Sequence, residues 1–87
     1  MNKGSGVSER EWSQELQKFT IFSLTSGNFL SNPKLDGVCF KHMDGRFGYI
    51  KTDDAVIEKY HMHIIGEDTI IEYSDAISVV TNGWAID

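Results

Sequence analysis

The chain has 87 residues, 40% of them hydrophobic, with 8 Lys and Arg against 13 Asp and Glu and a formal net charge of −5. This length fits one domain, the apolar fraction excludes a disordered chain, and the acidic balance excludes a polycationic nucleic-acid binder. The single cysteine, Cys39, allows no internal disulfide and no cysteine-rich zinc site. Because no apolar run has membrane or signal-peptide length, we expect a soluble cytoplasmic protein.

Charge is distributed unevenly along the chain. Residues 20–52 carry two more basic than acidic side chains, whereas residues 53–87 carry eight acidic side chains and a single lysine, Lys59. Contacts to phosphates would therefore have to come from the basic middle segment, while the acidic part is expected to serve solubility.

The first predicted element is a helix. Residues 1–7 are expected to form a flexible tail, and Ser8 and Glu11 have the spacing of a capping box. Large apolar residues follow at helical spacing and predict a helix from about residue 9: Trp12, Leu16 and Phe19. Ser26-Gly27-Asn28 stops the helix, and Asn32-Pro33 marks a turn in the connection, so the helix and connection occupy residues 8–36.

From Gly37 the hydrophobic period changes to two, which predicts a β-hairpin. The segments VCFKHM and RFGYIK flank Asp44-Gly45, a strong hairpin signal. A two-residue loop there pairs His42 with Phe47 and Phe40 with Tyr49. One face then carries Val38, Phe40, His42, Phe47, Tyr49 and Lys51, and the other carries Cys39, Lys41, Arg46, Gly48 and Ile50. This register makes Phe47 and Tyr49 core residues and Cys39 a buried small hydrophobe.

The second half of the chain reads as further strands. Residues 52–54 are expected to turn, residues 55–65 to form a long strand, and residues 69–73 to form the next strand. Residues 76–80 fit either a fifth strand or a helical turn capped by Ser74. We expect residues 82–87 to be a tail.

Two histidines raise the question of a metal site. Alternation places Tyr60, Met62 and Ile64 on one face with Ile71 and Tyr73, and places His61 and His63 on the other with Glu72. Two histidines and a carboxylate can bind zinc or iron. Alternation in a half-exposed strand is the commoner cause of such a pattern, and no further ligand is fixed by spacing, so we expect no metal site.

Two segments resemble the motifs of the Sm-like small-barrel family. DGRFGYIKTDDAVI, with Gly45, Gly48, Ile50, Asp54 and Ile57, is similar to the first Sm motif, although its two glycines stand closer together than usual. IIEYSDAISVV resembles the second motif of the bacterial Hfq-type members. The resemblance covers about residues 37–80. With the preceding helix, it implies a helix followed by a strongly bent five-stranded antiparallel β-barrel. The alternative is an open α+β antiparallel meander with a short C-terminal helix.

The resemblance also implies a function. Sm-like proteins form rings, here of about five to seven subunits, that bind RNA or single-stranded nucleic acid without catalysis, metal or cofactor. The implied site residues are Asp54, Val56, Glu58, Tyr73, Ser74 and Asp75, with Lys41, Arg46 and Lys51 as candidate phosphate contacts. Glu58 stands where the family usually has an asparagine, and Ser74-Asp75 replaces a basic pair. The alternative is an acidic homo-oligomeric protein-interaction module that binds no nucleic acid.

Overall fold

The computed structural model describes residues 11–87. In chain order its elements are α1 (Gln14–Ser26), β1 (Gly37–His42), β2 (Phe47–Lys51), α2 (Thr52–Val56), β3 (Tyr60–Ile64), β4 (Ile70–Tyr73), α3 (Ala76–Thr81) and β5 (Trp84–Ile86). The strands form one sheet in the order β4-β3-β2-β1-β5, with every pairing antiparallel. The predicted helix followed by a five-stranded antiparallel sheet is thus confirmed as an α+β fold. Within residues 11–87 no ladder joins β4 to β5, so the sheet is open.

Helix α1 begins later than predicted. Ser13 is its N-cap, and its side chain accepts a hydrogen bond from Leu16 N at 3.2 Å. Gly27, with a φ of 76°, ends the helix as expected. The predicted cap Ser8 lies outside the described residues. Because Trp12 precedes the helix and Phe19 is exposed, the predicted apolar face was wrong, and the buried face is formed instead by Thr20, Ser23 and Leu24.

The β1–β2 hairpin has a longer loop than predicted, and this changes both faces of the sheet. Gly45 N donates to His42 O at 3.0 Å and His42 N donates to Arg46 O at 2.9 Å, so three residues connect the strands. Gly45 has a φ of 96°, the left-handed conformation that follows a type I turn in such loops. Phe40 therefore pairs with Gly48 and Cys39 with Tyr49. This one-residue slip moves Phe47 and Tyr49 to the face opposite Val38 and Phe40, so the predicted faces of β2 were wrong.

Two segments adopt elements other than those predicted. Residues 52–56 form α2, and Glu58, with a φ of 58°, ends that turn, so β3 starts only at Tyr60. Residues 76–81 form α3, the helical alternative, but the cap is Asp75, whose Oδ1 accepts from Ser78 N at 2.7 Å. The expected tail contains β5, which pairs with β1.

The helices pack on one side of the sheet, which we call the inner face. Its buried strand residues contact Leu24 of α1, Ala55 of α2 and Val79 of α3 in one cluster. These inner-face residues are Val38, Phe40, Ile50, Tyr60, Met62, Ile64 and Trp84. Gly48 also faces inward, where a Cβ would lie 2.9 Å from Met62 Sδ. We call the opposite side the outer face.

Candidate nucleic-acid interface

The outer face carries aromatic and basic side chains in its centre. Along β2, Phe47, Tyr49 and Lys51 alternate with the inward residues Gly48 and Ile50, and so share this face. Phe47 keeps 51% of its surface exposed although it lies in a central strand of the sheet. Ile65, whose N donates to Phe47 O, and Ile70 are also exposed on this face, so Phe47 belongs to an apolar patch there.

Tyr49 and His63 form a stacked pair of rings on the outer face. They are cross-strand partners on β2 and β3, and their rings stack with centroids 4.8 Å apart and planes 13° apart. Burial, followed by the nearby Lys51 ammonium, lowers the pKa of His63 below its usual 6.5. The imidazole is therefore neutral at pH 7, and the stacked pair offers an uncharged π surface.

A cleft of about 380 Å³ lies over this stacked pair. Its apolar walls include Leu35, Ile65 and Ile70, and the β3–β4 turn at residues 66–69 forms its rim. That volume lies at the lower end of small-molecule sites. Glu67 and Asp68 in the rim are acidic, so the cleft favours the base of a nucleotide over its phosphate.

Two lysines stand at the ends of the aromatic row. Lys41 pairs with Phe47 across β1 and β2, and its Nζ lies 5.0 Å from the ring centroid of Trp12. Trp12 in turn donates from Nε1 to Gly83 O at 2.9 Å, which holds the indole at this edge. Lys51 follows Tyr49 on the same face. Both lysines thus lie on the same face as Phe47 and Tyr49.

Arg46, the third predicted phosphate contact, has other partners. Its Nε donates to Asp44 Oδ2 at 2.8 Å, and its guanidinium lies 5.5 Å from the ring centroid of Trp84. The hydrogen bond from Arg46 N, more than any other interaction, lowers the pKa of Asp44. Arg46 thus belongs to the hairpin tip rather than to the outer-face row.

The six predicted loop residues lie at one end of the sheet, away from Lys41. Burial raises the pKa of Tyr60, and the carboxylates of Glu58 and Asp75, one from each loop, raise it further. Tyr73 is half-buried, and its hydroxyl accepts from Trp84 Nε1 at 3.0 Å. This bond and the cap made by Asp75 give both residues structural roles. The other three predicted residues lie near them: Asp54, Val56 and Ser74.

The two histidines of the sequence question have separate contacts. His61 Nε2 lies 3.8 Å from Glu72 Oε2, while His63 stacks on Tyr49. Among residues 11–87, no three His, Cys, Asp or Glu side chains are grouped so that they could hold a metal ion.

Sequence reasoning missed the aromatic pair as a surface because it assumed a two-residue hairpin loop. Met43-Asp44-Gly45 also fits a three-residue loop with glycine in its last, left-handed position. Under that reading Phe47 and Tyr49 move to the face opposite Phe40. The signal was present in the sequence, but it did not separate the two registers.

Comparisons with protein-family models, with curated proteins and with solved structures found no match for this chain. In the described part of the chain, no helix has the length and apolar character needed to cross a bilayer.

Proposed function

We propose that this protein binds single-stranded nucleic acid through the outer face of its sheet, without catalysis. The main support for the proposal is that Phe47 and Tyr49 lie two residues apart on the outer face of β2, a central strand of the sheet. Aromatic rings on an antiparallel sheet are platforms on which unstacked bases of RNA or single-stranded DNA stack. One base would lie on Phe47 and another on the Tyr49–His63 pair.

The stacking energy is sufficient to be measured. Base–aromatic stacking contributes about 1–3 kcal/mol per base and tolerates any base, because every base has a π face. A duplex keeps its bases paired and cannot use these rings. We therefore expect binding to single strands with little sequence preference.

Lys41 and Lys51 give the proposal its ionic term. Two phosphate contacts on a single strand correspond to a slope of about −1.4 in a plot of log K against log salt. Raising salt from about 50 to 200 mM would then weaken binding only about sevenfold. The net charge of −5 also limits the number of phosphate contacts, because an acidic protein repels a polyanion that covers more of its surface.

The test is fluorescence anisotropy with labelled single strands of about 12 nucleotides, RNA and DNA, and a duplex of the same length. Phe47→Ala and Tyr49→Ala should each weaken single-strand binding about 5-fold to 150-fold. Phe22→Ala, which removes an equally exposed ring from α1, is the matched control and should leave binding unchanged.

A third variant separates the outer face from the loop residues implied by the Sm-like resemblance. Val56 is exposed at the end of α2, and Val56→Ala should not alter binding if the outer face is the site. Weakening by Val56→Ala alone would return the site to the loops. Absence of binding at low salt would remove the proposed function altogether.

The Sm-like relationship and its ring also remain proposals. An N-terminal helix before a five-stranded antiparallel sheet supports the relationship, although α2 and α3 are inserted between strands. Joining subunits through the outer sides of β4 and β5 would require α1 to leave the β5 edge, because Thr20 of α1 accepts a hydrogen bond from Ile86 N. A ring could instead use a different surface.

A second candidate function is that of an acidic homo-oligomeric interaction module, and an apolar patch on α1 supports it. Phe19 and Leu30, the latter 91% exposed, line a cleft of about 290 Å³, and Phe22 lies one helical turn from Phe19. Light scattering on a sizing column would give several subunits for the wild type. Phe19→Ser combined with Leu30→Ser should then reduce the mass to that of one chain, whereas an unchanged mass would exclude this patch as the contact.

A further inference from the structure

The two edge strands of the sheet, β4 and β5, differ in whether another part of the chain covers the edge that each presents. On β5, Ile86 N points away from β1 and donates to Thr20 Oγ1 at 3.0 Å. Thr20 is fully buried, and its hydroxyl also donates to Leu16 O at 2.8 Å. Helix α1 therefore covers the β5 edge and satisfies a backbone donor there.

On β4 the alternation of hydrogen-bonded pairs shows which backbone groups point away from β3. Ile64 N donates to Thr69 O at 3.0 Å, which fixes the hydrogen-bonded pairs of the β3–β4 ladder. Because such pairs alternate in an antiparallel ladder, Ile71 and Tyr73 also bond to β3. The N–H and C=O groups of Ile70 and Glu72 consequently point away from the sheet. Within residues 11–87 no strand pairs with that side of β4.

The β4 edge is short, four residues, but it lacks several other devices that prevent pairing. It contains no proline, lysine or bulge, and its side chains on the outer face are Ile70, 57% exposed, and Glu72. The strand and its flanks carry four carboxylates and no Lys or Arg: Glu67, Asp68, Glu72 and Asp75. The nearest basic groups lie on the β3 side, at His61 and Lys59.

These charges disfavour a second copy of the chain as the partner. Antiparallel pairing of two β4 edges about Ile71 places Ile70 opposite Glu72 of the other copy. Such pairing would also bring the carboxylates that flank β4 in both copies to the same edge, and like charges close together are destabilising. An added strand that carries positive charge avoids this repulsion and gains attraction at the same positions.

We propose that the free edge of β4 binds an extended segment of a partner protein, in which basic and apolar side chains alternate. Backbone groups of Ile70 and Glu72 bond to the added strand, as in other cases of strand addition. Because side chains alternate in a strand, the added residues beside Ile71 and Tyr73 are apolar and those beside Glu72 are basic. This edge adjoins the cleft over the Tyr49–His63 pair, because Ile70 also lines that cleft. Its hydrogen bonds come from the β4 backbone, however, and do not require the ring of Phe47.

The test uses an end-blocked peptide of alternating valine and lysine, added to the full chain labelled with ¹⁵N. Binding should slow amide exchange at Ile70 and Glu72. The Phe47→Ala protein should bind the peptide as well as the wild type does. A matched peptide with glutamate in place of lysine should not bind. The same basic peptide, N-methylated at alternate residues so that its backbone cannot pair, should also fail.

Charge variants of the chain complete the test. Glu67→Gln combined with Glu72→Gln should weaken the basic peptide about threefold to tenfold. Asp75 is left intact, because it caps α3. Equal binding of the N-methylated peptide, or protection at Phe47 and Tyr49 instead of Ile70 and Glu72, would overturn the proposal. So would concentration-dependent self-association that protects Ile70 without any peptide, or no binding of the basic peptide at all.

Discussion

The two faces of the sheet use similar residues for opposite purposes. Phe40 on the inner face is fully buried between helices and strands, whereas Phe47, one hairpin away on the outer face, is 51% exposed. Hydrophobic residues are therefore not assigned to the core by type. They are assigned by the hairpin register, because one residue of slip exchanges the two faces of a strand.

The difference predicts that the two faces respond differently to mutation. Inner-face substitutions should change stability, because that face is close-packed against three helices. Outer-face substitutions should change binding with little cost in stability.

The largest effect should follow Trp84→Ala. Trp84 is fully buried and donates a hydrogen bond to Tyr73 Oη, so truncation leaves a cavity and an unpaired hydroxyl. We expect a loss of about 3–5 kcal/mol in the free energy of unfolding, measured by urea denaturation. Phe47→Ala, the outer-face counterpart, should cost about 1 kcal/mol or less. Similar losses for both variants would contradict the assignment of the faces.

A smaller effect should follow Gly48→Val. A Cβ at Gly48 would meet Met62 Sδ at 2.9 Å and His63 O at 3.0 Å, so a branched side chain overpacks the inner face. The expected loss is about 1–3 kcal/mol in the free energy of unfolding. Tyr49→Val introduces the same side chain at the next residue, on the outer face, and should cost less. The reverse order would support the two-residue loop that the sequence suggested.

Next in size is Thr20→Val, which tests the covered sheet edge. Valine keeps the shape of threonine but leaves Ile86 N without its acceptor, at an expected loss of about 1–2 kcal/mol. Thr25→Val is the control, because Thr25 makes the same bond within the helix, to Ile21 O, but is exposed. Thermal unfolding of both variants would measure the difference, and equal melting temperatures would show that α1 does not cover β5.

The smallest effect concerns pH and His63. Since the folded-state pKa of His63 is lowered, first by burial and then by Lys51, the unfolded chain takes up this proton first as the pH falls. Stability should therefore decrease as the pH drops through about 6.5, and this decrease ends below the lowered folded-state pKa. His63→Phe keeps a stacking ring and should flatten the dependence in urea titrations at several pH values. Ile65→Val, on the same side of the sheet, should leave it unchanged.

Much of the local structure could be read from the residues. The shared face of His61 and Glu72 and that of Met62 and Ile71 follow from strict alternation and a short turn, and the structure has both. The end of α1 at Gly27 could be read from the sequence, because glycine is the only residue type that takes a positive φ without a conformational cost. In these segments a single local rule decides the conformation.

The platform could not be fixed in the same way. Whether Phe47 and Tyr49 face helices or solvent depends on the loop between β1 and β2, and that loop depends on which residues of the two strands pack in the core. The sequence by itself determined one small α+β domain, its β3–β4 pairing and the chemical types available to a site. Only the tertiary structure decided the β1–β2 register, the strand at residues 84–86 and the covered β5 edge. Each of these rests on contacts between residues distant in the chain, such as Ile86 with Thr20, and no local pattern specifies such contacts.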